Sequence, residues 1–393
     1  MALPSTDCQR VAQWLSTGAI KHTLDPTTPN SVDLARFIAR ANGATTEELP
    51  DAGPARPEAE AALVRAVGPV GQHFLFVLLD GMGMNLLEAA LPPTSFLRRH
   101  LVQAMHSVFP ATTTAALNSL ASAVYPSAHG LPGWTIRTTT SAGVEITATP
   151  LPFIEDGSAA PLSKVGVTPT ELFRTTPIYN SYRRPAHQIS AYAGTAFSDY
   201  STGWCPSTKT DSISAAIDAI AERWRAADIG ETFTYWYNPE PDSASHKHGW
   251  RSEEVAAALV ALDAGLERLW STTQGVRGGR TIVVSADHGH LECHGEQTMV
   301  LGAQPEDEEL VSLLRCNPTV EPRTPGFHVR EGTIEGLNRR GRFAEAFRAS
   351  RFGRHFALLT TDEADALELF GPVGIHIPQQ CTGALVVIDV GFA

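Results

Sequence analysis

The chain has 393 residues, 43% hydrophobic and 18% charged, a globular balance that excludes a disordered chain and predicts two domains or one large domain with insertions. Against 42 Asp and Glu stand 30 Lys and Arg, and the net charge of −12 argues against a nucleic acid duplex as partner while leaving acidic groups free to collect divalent cations. The cysteines Cys8, Cys205, Cys293, Cys316 and Cys381 are far apart and form no CxxC, so neither a disulfide framework nor a thiolate zinc site is indicated.

The opening stretch MALPSTDCQRVAQW lacks the basic-then-apolar layout of a signal peptide. The apolar run Phe74 to Leu79 is far too short to span a bilayer. A cytoplasmic protein with no membrane partner is expected. Residues 1–70 read as a helical lead-in, with helical spacing from Ser31 to Ala44 and a Pro/Ala-rich loop from Ala52 to Pro57. His73–Asp80 is a continuous apolar run ending in Asp, as in a strand buried on both faces, and a helix can start at Asn85. Ala104–Phe109 is a second expected strand, followed by a turn over Pro110–Thr114 and an Ala-rich helix from Ala115 to Val124. Residues 131–210, rich in Thr, Pro and Gly, read as an inserted excursion.

Ser212–Ala227 is an expected helix, Thr232–Tyr237 a strand, Glu253–Leu269 an amphipathic helix and Thr281–Ala286 a buried strand. Towards the end, Asp362–Leu369 reads as helix and Ala384–Val390 as strand. Alternating strands and helices predict an α/β fold: a central, mostly parallel sheet flanked by helices on both faces.

Four expected strand ends run into polar residues: Asp80; Thr112, Thr113 and Thr114; Asp242 and His246; Asp287 and His288. In a parallel sheet these ends share one edge, so the groups converge there. Carboxylates with imidazoles suit a pair of zinc or manganese ions, and the mixed donors lean to zinc. Taken singly, an Asp at a strand end reads as a turn or capping residue, and so do the threonines. A rival reading gathers His288, His290, Cys293 and His294 into a local structural zinc cluster.

The ordered set of Asp80, Phe109-Pro110-Ala111-Thr112-Thr113, Tyr125-Pro126-Ser127-Ala128-His129-Gly130, Pro241-Asp242 with His246, and Ala286-Asp287-His288-Gly289 resembles the alkaline phosphatase superfamily. Its closest likeness there is to the type I phosphodiesterase and nucleotide pyrophosphatase branch, over residues from about 72 to 290. The resemblance implies an alkaline phosphatase-like domain over 71–393, with a cap formed by insertions at about 131–210 and 291–370. It implies Thr113 as nucleophile and two divalent metal ions. One is held by Asp80, Thr113, Asp287 and His288, the other by Asp242, His246 and a third His near the C-terminus.

For that third ligand the candidates are His328, His376 or a residue beyond Ala393; His328 is preferred because Gly326 allows a tight turn before it. The branch places an Asn three residues after the nucleophile, where this chain has Ala116, and Asn118 is the nearby substitute for binding substrate. The implied activity is hydrolysis of phosphodiester or pyrophosphate bonds in a small phosphorylated substrate, a nucleotide among the candidates. The alternatives are a phosphomonoesterase or phosphonate hydrolase, for which Lys164, Lys247, Arg183 and Arg184 are the basic groups to examine, and a silent metal-binding relative.

Overall fold

The computed structural model describes residues 4–226, 230–292, 298–334 and 337–372, together with the backbone of the strand Ala384–Asp389. Its centre is β1 (His73–Leu79), seven consecutive buried residues. Side chains alternate across a strand, so Phe74, Phe76 and Leu78 enter one core while Leu75, Val77 and Leu79 enter another. The first core holds Leu34 and Ile38 of helix Ser31–Ala41 and Leu117 and Leu120 of helix Thr113–Ser122. The second holds Leu86 and Leu87 of helix Met84–Ala90, Ile217 and Ile220 of helix Ile213–Arg225, and Leu259 and Leu262 of helix Glu253–Thr272. At about 1.5–3 kcal/mol per buried large apolar side chain, this double burial favours the strand despite the entropy of ordering it.

The remaining strands are β2 (Ile136–Thr139), β3 (Glu145–Thr149), β4 (Ile154–Glu155), β5 (Ala186–Ser190), β6 (Ser207–Lys209), β7 (Thr232–Asn238), β8 (Arg280–Ser285), β9 (Thr319–Glu321), β10 (Thr324–His328), β11 (Thr333–Ile334), β12 (Leu337–Asn338), β13 (Phe356–Thr360) and β14 (Ala384–Asp389). The central sheet runs β6-β5-β7-β1-β8, every pairing parallel, with helices on both faces as expected. Strands β2-β3-β4 form a small antiparallel sheet, and β13-β14-β10-β9 a second antiparallel sheet.

Two expectations change. Ala104–Phe109 is not a strand: β7 and β8 occupy both places beside β1, and this segment makes only the isolated bridge His106 to Asn30. The excursion expected over 131–210 divides, since β2–β4 leave the central sheet but β5 and β6 belong to it. Residues 4–70 are built into the body. Helix Ser31–Ala41 starts on a capping box in which Asn30 and Asp33 satisfy each other's backbone N–H groups, and Asn30 Nδ2 also donates to Tyr125 Oη at 3.0 Å. Helix Thr6–Thr17 packs Cys8 and Val11 against Ala357 and Leu359 of β13. Among the described residues no helix is long and apolar enough to cross a membrane.

His129 of the Pro126–Gly130 stretch carries structure. Its Nδ1 accepts from Leu131 N–H at 3.1 Å, which leaves Nε2 to donate to Ser119 Oγ at 3.0 Å. Burial pushes its pKa down to about 3 from the usual 6.5. The unfolded chain therefore takes up a proton that the folded chain refuses, and stability falls as pH drops below 6.5. From pH 7.5 to 5 the loss attributable to this group is expected to be about 2 kcal/mol. Urea unfolding of the wild type and His129→Gln at both pH values checks this: the variant, lacking the titrating group, is expected to lose correspondingly less.

Candidate active site

The carboxyl ends of β1, β7 and β8 are tied together by backbone. Asp80 N–H donates to Asn238 O, Asp242 N–H donates to Asp80 O, each at 3.0 Å, and Gly81 N–H donates to Asp287 Oδ1 at 2.9 Å. Asp80, Asp287 and His288 consequently present donor atoms all within 4.8 Å of one another. Thr113, the first residue of helix Thr113–Ser122, completes this group: its Oγ1 lies 3.0 Å from His288 Nε2 and 3.4 Å from Asp80 Oδ1. Neither of its two neighbours joins this group. Thr112 Oγ1 donates to Glu321 Oε1 at 2.7 Å, and Thr114 is wholly buried.

The electrostatics follow from burial. Asp287 is fully buried, and burial with the adjacent Asp80 carboxylate pushes its pKa up to about 8. Burial opposes a charge on His288, but Asp287 and Asp80 beside it lift it to about 10. Burial also presses Asp80 upward, yet the hydrogen bond and charge of His288, with the Tyr237 hydroxyl donating to its Oδ2, hold it below the ordinary carboxylate range. Asp287 Oδ2 is buried with no hydrogen-bond partner. Crowded carboxylates with an unsatisfied oxygen are costly without a cation to compensate them. His288 Nδ1 donates to Gly289 O at 3.0 Å, which turns the Nε2 lone pair inward, the usual arrangement of a metal-ligating histidine. These donors fit a divalent cation.

A second group adjoins the first. Asp242 and His246 lie one turn apart on helix Asp242–His248, with His246 Nε2 3.3 Å from Asp242 Oδ2. On the other oxygen, His290 Nε2 lies 3.4 Å from Asp242 Oδ1, and both of these atoms are buried without a hydrogen bond. Burial, then the charge of Asp80, pushes Asp242 upward; burial and the neighbouring His288 bring His290 down to about 4.

Other expected residues lie elsewhere. His328, on β10, is buried with Nε2 2.8 Å from Thr319 Oγ1, so its ring is engaged in the second antiparallel sheet rather than with Asp242. Asn118 is five residues beyond Thr113, about 140° round the helix, and its Nδ2 donates back to Thr114 O at 2.7 Å instead of facing the site. Arg183 pairs with Glu48 at 2.6 Å, and Arg184 donates to Gly71 O at 2.9 Å beside the amino end of β1, the end opposite the cluster. His376, Cys293 and His294 lie outside the described residues. The proposed grouping of His288 with His290 as one local cluster gives way to two directions, one ring toward Asp80 and the other toward Asp242.

Sequence reasoning missed Tyr237, Glu321 and the partnership of His290 with Asp242. Glu321 accepts from both Thr112 Oγ1 and, at 2.6 Å, Trp134 N–H, holding the start of the Thr113 helix against the second sheet. Glu321→Ala is expected to lower unfolding stability by about 1–3 kcal/mol in urea titrations, whereas Glu321→Gln, which keeps an acceptor oxygen, retains most of it.

Comparisons with known proteins bear on the family and the fold. The type I phosphodiesterase / nucleotide pyrophosphatase family matches residues 74–360. Murine ectonucleotide pyrophosphatase / phosphodiesterase 5 (ENPP5), as an inactive variant in complex with AMP, superposes with a TM-score of 0.57 at 15% identity, covering 82% of this chain and 79% of that one. The human protein of the same name superposes with a TM-score of 0.55 at 13% identity, covering 80% and 78%. At these identities the likeness is one of fold. No curated protein matches the sequence. The family match spans most of the chain and contains every strand end described above, so the chain belongs to the type I phosphodiesterase / nucleotide pyrophosphatase family of phosphoric ester hydrolases.

Proposed function

We propose that the protein hydrolyses phosphodiester or pyrophosphate bonds of a small substrate through a phosphothreonine formed on Thr113. The carrying observation is the placement of Thr113 Oγ1 at a helix start, 3.0 Å from His288 Nε2 and 3.4 Å from Asp80 Oδ1. Asp80, Thr113, Asp287 and His288 would hold one divalent cation, and Asp242 and His246 would contribute to a second. Such cations supply Lewis acidity and charge compensation for a phosphoryl group. Zinc is the proposed metal, because mixed carboxylate and imidazole donors suit it.

A threonine hydroxyl is a weak nucleophile at neutral pH and needs help to lose its proton. Asp80 Oδ1, 3.4 Å away, is the carboxylate acceptor within reach, and the cation that these residues would hold would favour the alkoxide. As the Thr113 Oγ–P bond forms, the bond to the leaving oxygen breaks; water then attacks phosphorus, releases the phosphate product and restores the hydroxyl. The first amide N–H groups of helix Thr113–Ser122 have no acceptor within the helix and favour negative charge at this end. Arg183 and Arg184 lie away from the site, whereas Lys247 sits on the helix of Asp242 and His246, so the preference for a diester is supported by the family match alone. The AMP bound by the structurally similar murine protein makes a nucleotide diester the natural follow-up substrate.

The test is hydrolysis of bis-p-nitrophenyl phosphate and p-nitrophenyl phosphate side by side, before and after chelation and with zinc restored. Faster, metal-dependent cleavage of the diester is expected. Faster monoester cleavage would make the protein a phosphomonoesterase, and no turnover with zinc bound would make it a silent relative.

A further inference from the structure

We infer that His290 is the third protein ligand of the second cation, completing Asp242 and His246; the inference rests on the two-cation reading above. Asp242 stands between two imidazoles, with His246 Nε2 3.3 Å from one oxygen and His290 Nε2 3.4 Å from the other. One carboxylate with two histidines, leaving a position for water or substrate, is a donor set typical of catalytic zinc. His290 Nε2 and the Asp242 oxygen it faces are both buried without a hydrogen bond, so both have capacity to spare for a cation.

The surrounding backbone is shaped to admit this ring. Gly81, at φ +70°, lies so close that a Cβ there would fall 2.4 Å from His290 Nε2. A Cβ on Gly83 would fall 2.5 Å from Gly289 Cα, so the Gly81–Gly83 turn and the strand exit at Gly289 can approach only as glycines. Asn85 Nδ2 donates to His290 O at 2.7 Å and fixes the main chain just past the turn. The rings of His288 and His290 are 5.8 Å apart at 75°, one serving each acidic group. A single strand exit thereby supplies both centres.

The experiment loads chelator-stripped protein with zinc, removes the excess by dialysis, and measures zinc per chain for wild type, His290→Ala and His376→Ala. Two zincs are expected in wild type and in His376→Ala, and one in His290→Ala, whose second site weakens beyond the roughly 10–100-fold typical of losing an outer partner. His290→Cys, loaded with cobalt, is expected to gain a thiolate-to-cobalt charge-transfer band absent from cobalt-loaded wild type; this variant carries the test if the alanine form is unstable. Two zincs in His290→Ala, or no new band in His290→Cys, overturns the inference alone. Loss of the second zinc in His376→Ala gives the position to His376 and likewise overturns it. A wild type holding fewer than two zincs overturns the two-cation reading itself.

Discussion

Thr113→Ala is expected to reduce kcat on bis-p-nitrophenyl phosphate by roughly 10³-fold or more, with unfolding stability and circular dichroism unchanged. Loss of a nucleophile removes a route that the remaining groups cannot supply, and what survives is binding and charge stabilisation. The alanine leaves helix Thr113–Ser122 intact because it is a better helix former than threonine, and the helix N-cap is Thr112. Thr113→Ser, which keeps the hydroxyl, is expected to remain active. Thr112→Ala should lose less activity than Thr113→Ala, since its hydroxyl is engaged by Glu321. An inactive Thr112→Ala beside an active Thr113→Ala would shift the nucleophile by one residue.

Asp287→Asn is expected to separate metal binding from folding, with opposite signs. In wild type, zinc at about 100 times its dissociation constant should add about 2.7 kcal/mol to unfolding stability. In the variant that increment disappears, and elemental analysis should show zinc missing from the first site. Stripped of metal, however, the variant is expected to be at least as stable as stripped wild type. Asparagine keeps an Oδ1 for the N–H groups of Gly81 and His288, and it replaces a carboxyl that burial and the charge of Asp80 keep protonated up to about pH 8, so the cost of holding that proton is removed. Full zinc retention by Asp287→Asn would remove this carboxylate from the ligand set.

The sheet and its strand exits were legible because a strand buried on both faces must be apolar throughout, so the first polar residue marks its end. That rule located Asp80 after Leu79 and Asp287 after the run to Ser285. It also misled at Ala104–Phe109, where a short apolar stretch lies over the core with only one bridge. Local apolarity reports burial, not hydrogen-bonded pairing. Asn118 could have been set aside from helical geometry alone. Glu321 could not have been found, because it reaches Thr112 across 209 residues from a separate sheet, and no periodicity encodes that return. His290 was visible in Asp287-His288-Gly289-His290, but its direction depends on the approach of Gly81, which only the folded chain reveals.

The parallel pairing at the centre of the molecule has a consequence for how such a protein can diversify. His73 meets Thr232 across 159 residues, and Gly81 meets Asp287 across 206. Closing loops of this length is slow in folding, since many non-local contacts must form together. Yet closure entropy grows only logarithmically, so doubling such a loop adds only about 0.6 kcal/mol. Segments between the strands, including β2–β4, can therefore lengthen, shrink or be replaced at little thermodynamic expense while the strand exits keep their positions. The positions of the strand exits are thereby uncoupled from the length and content of the chain that joins them.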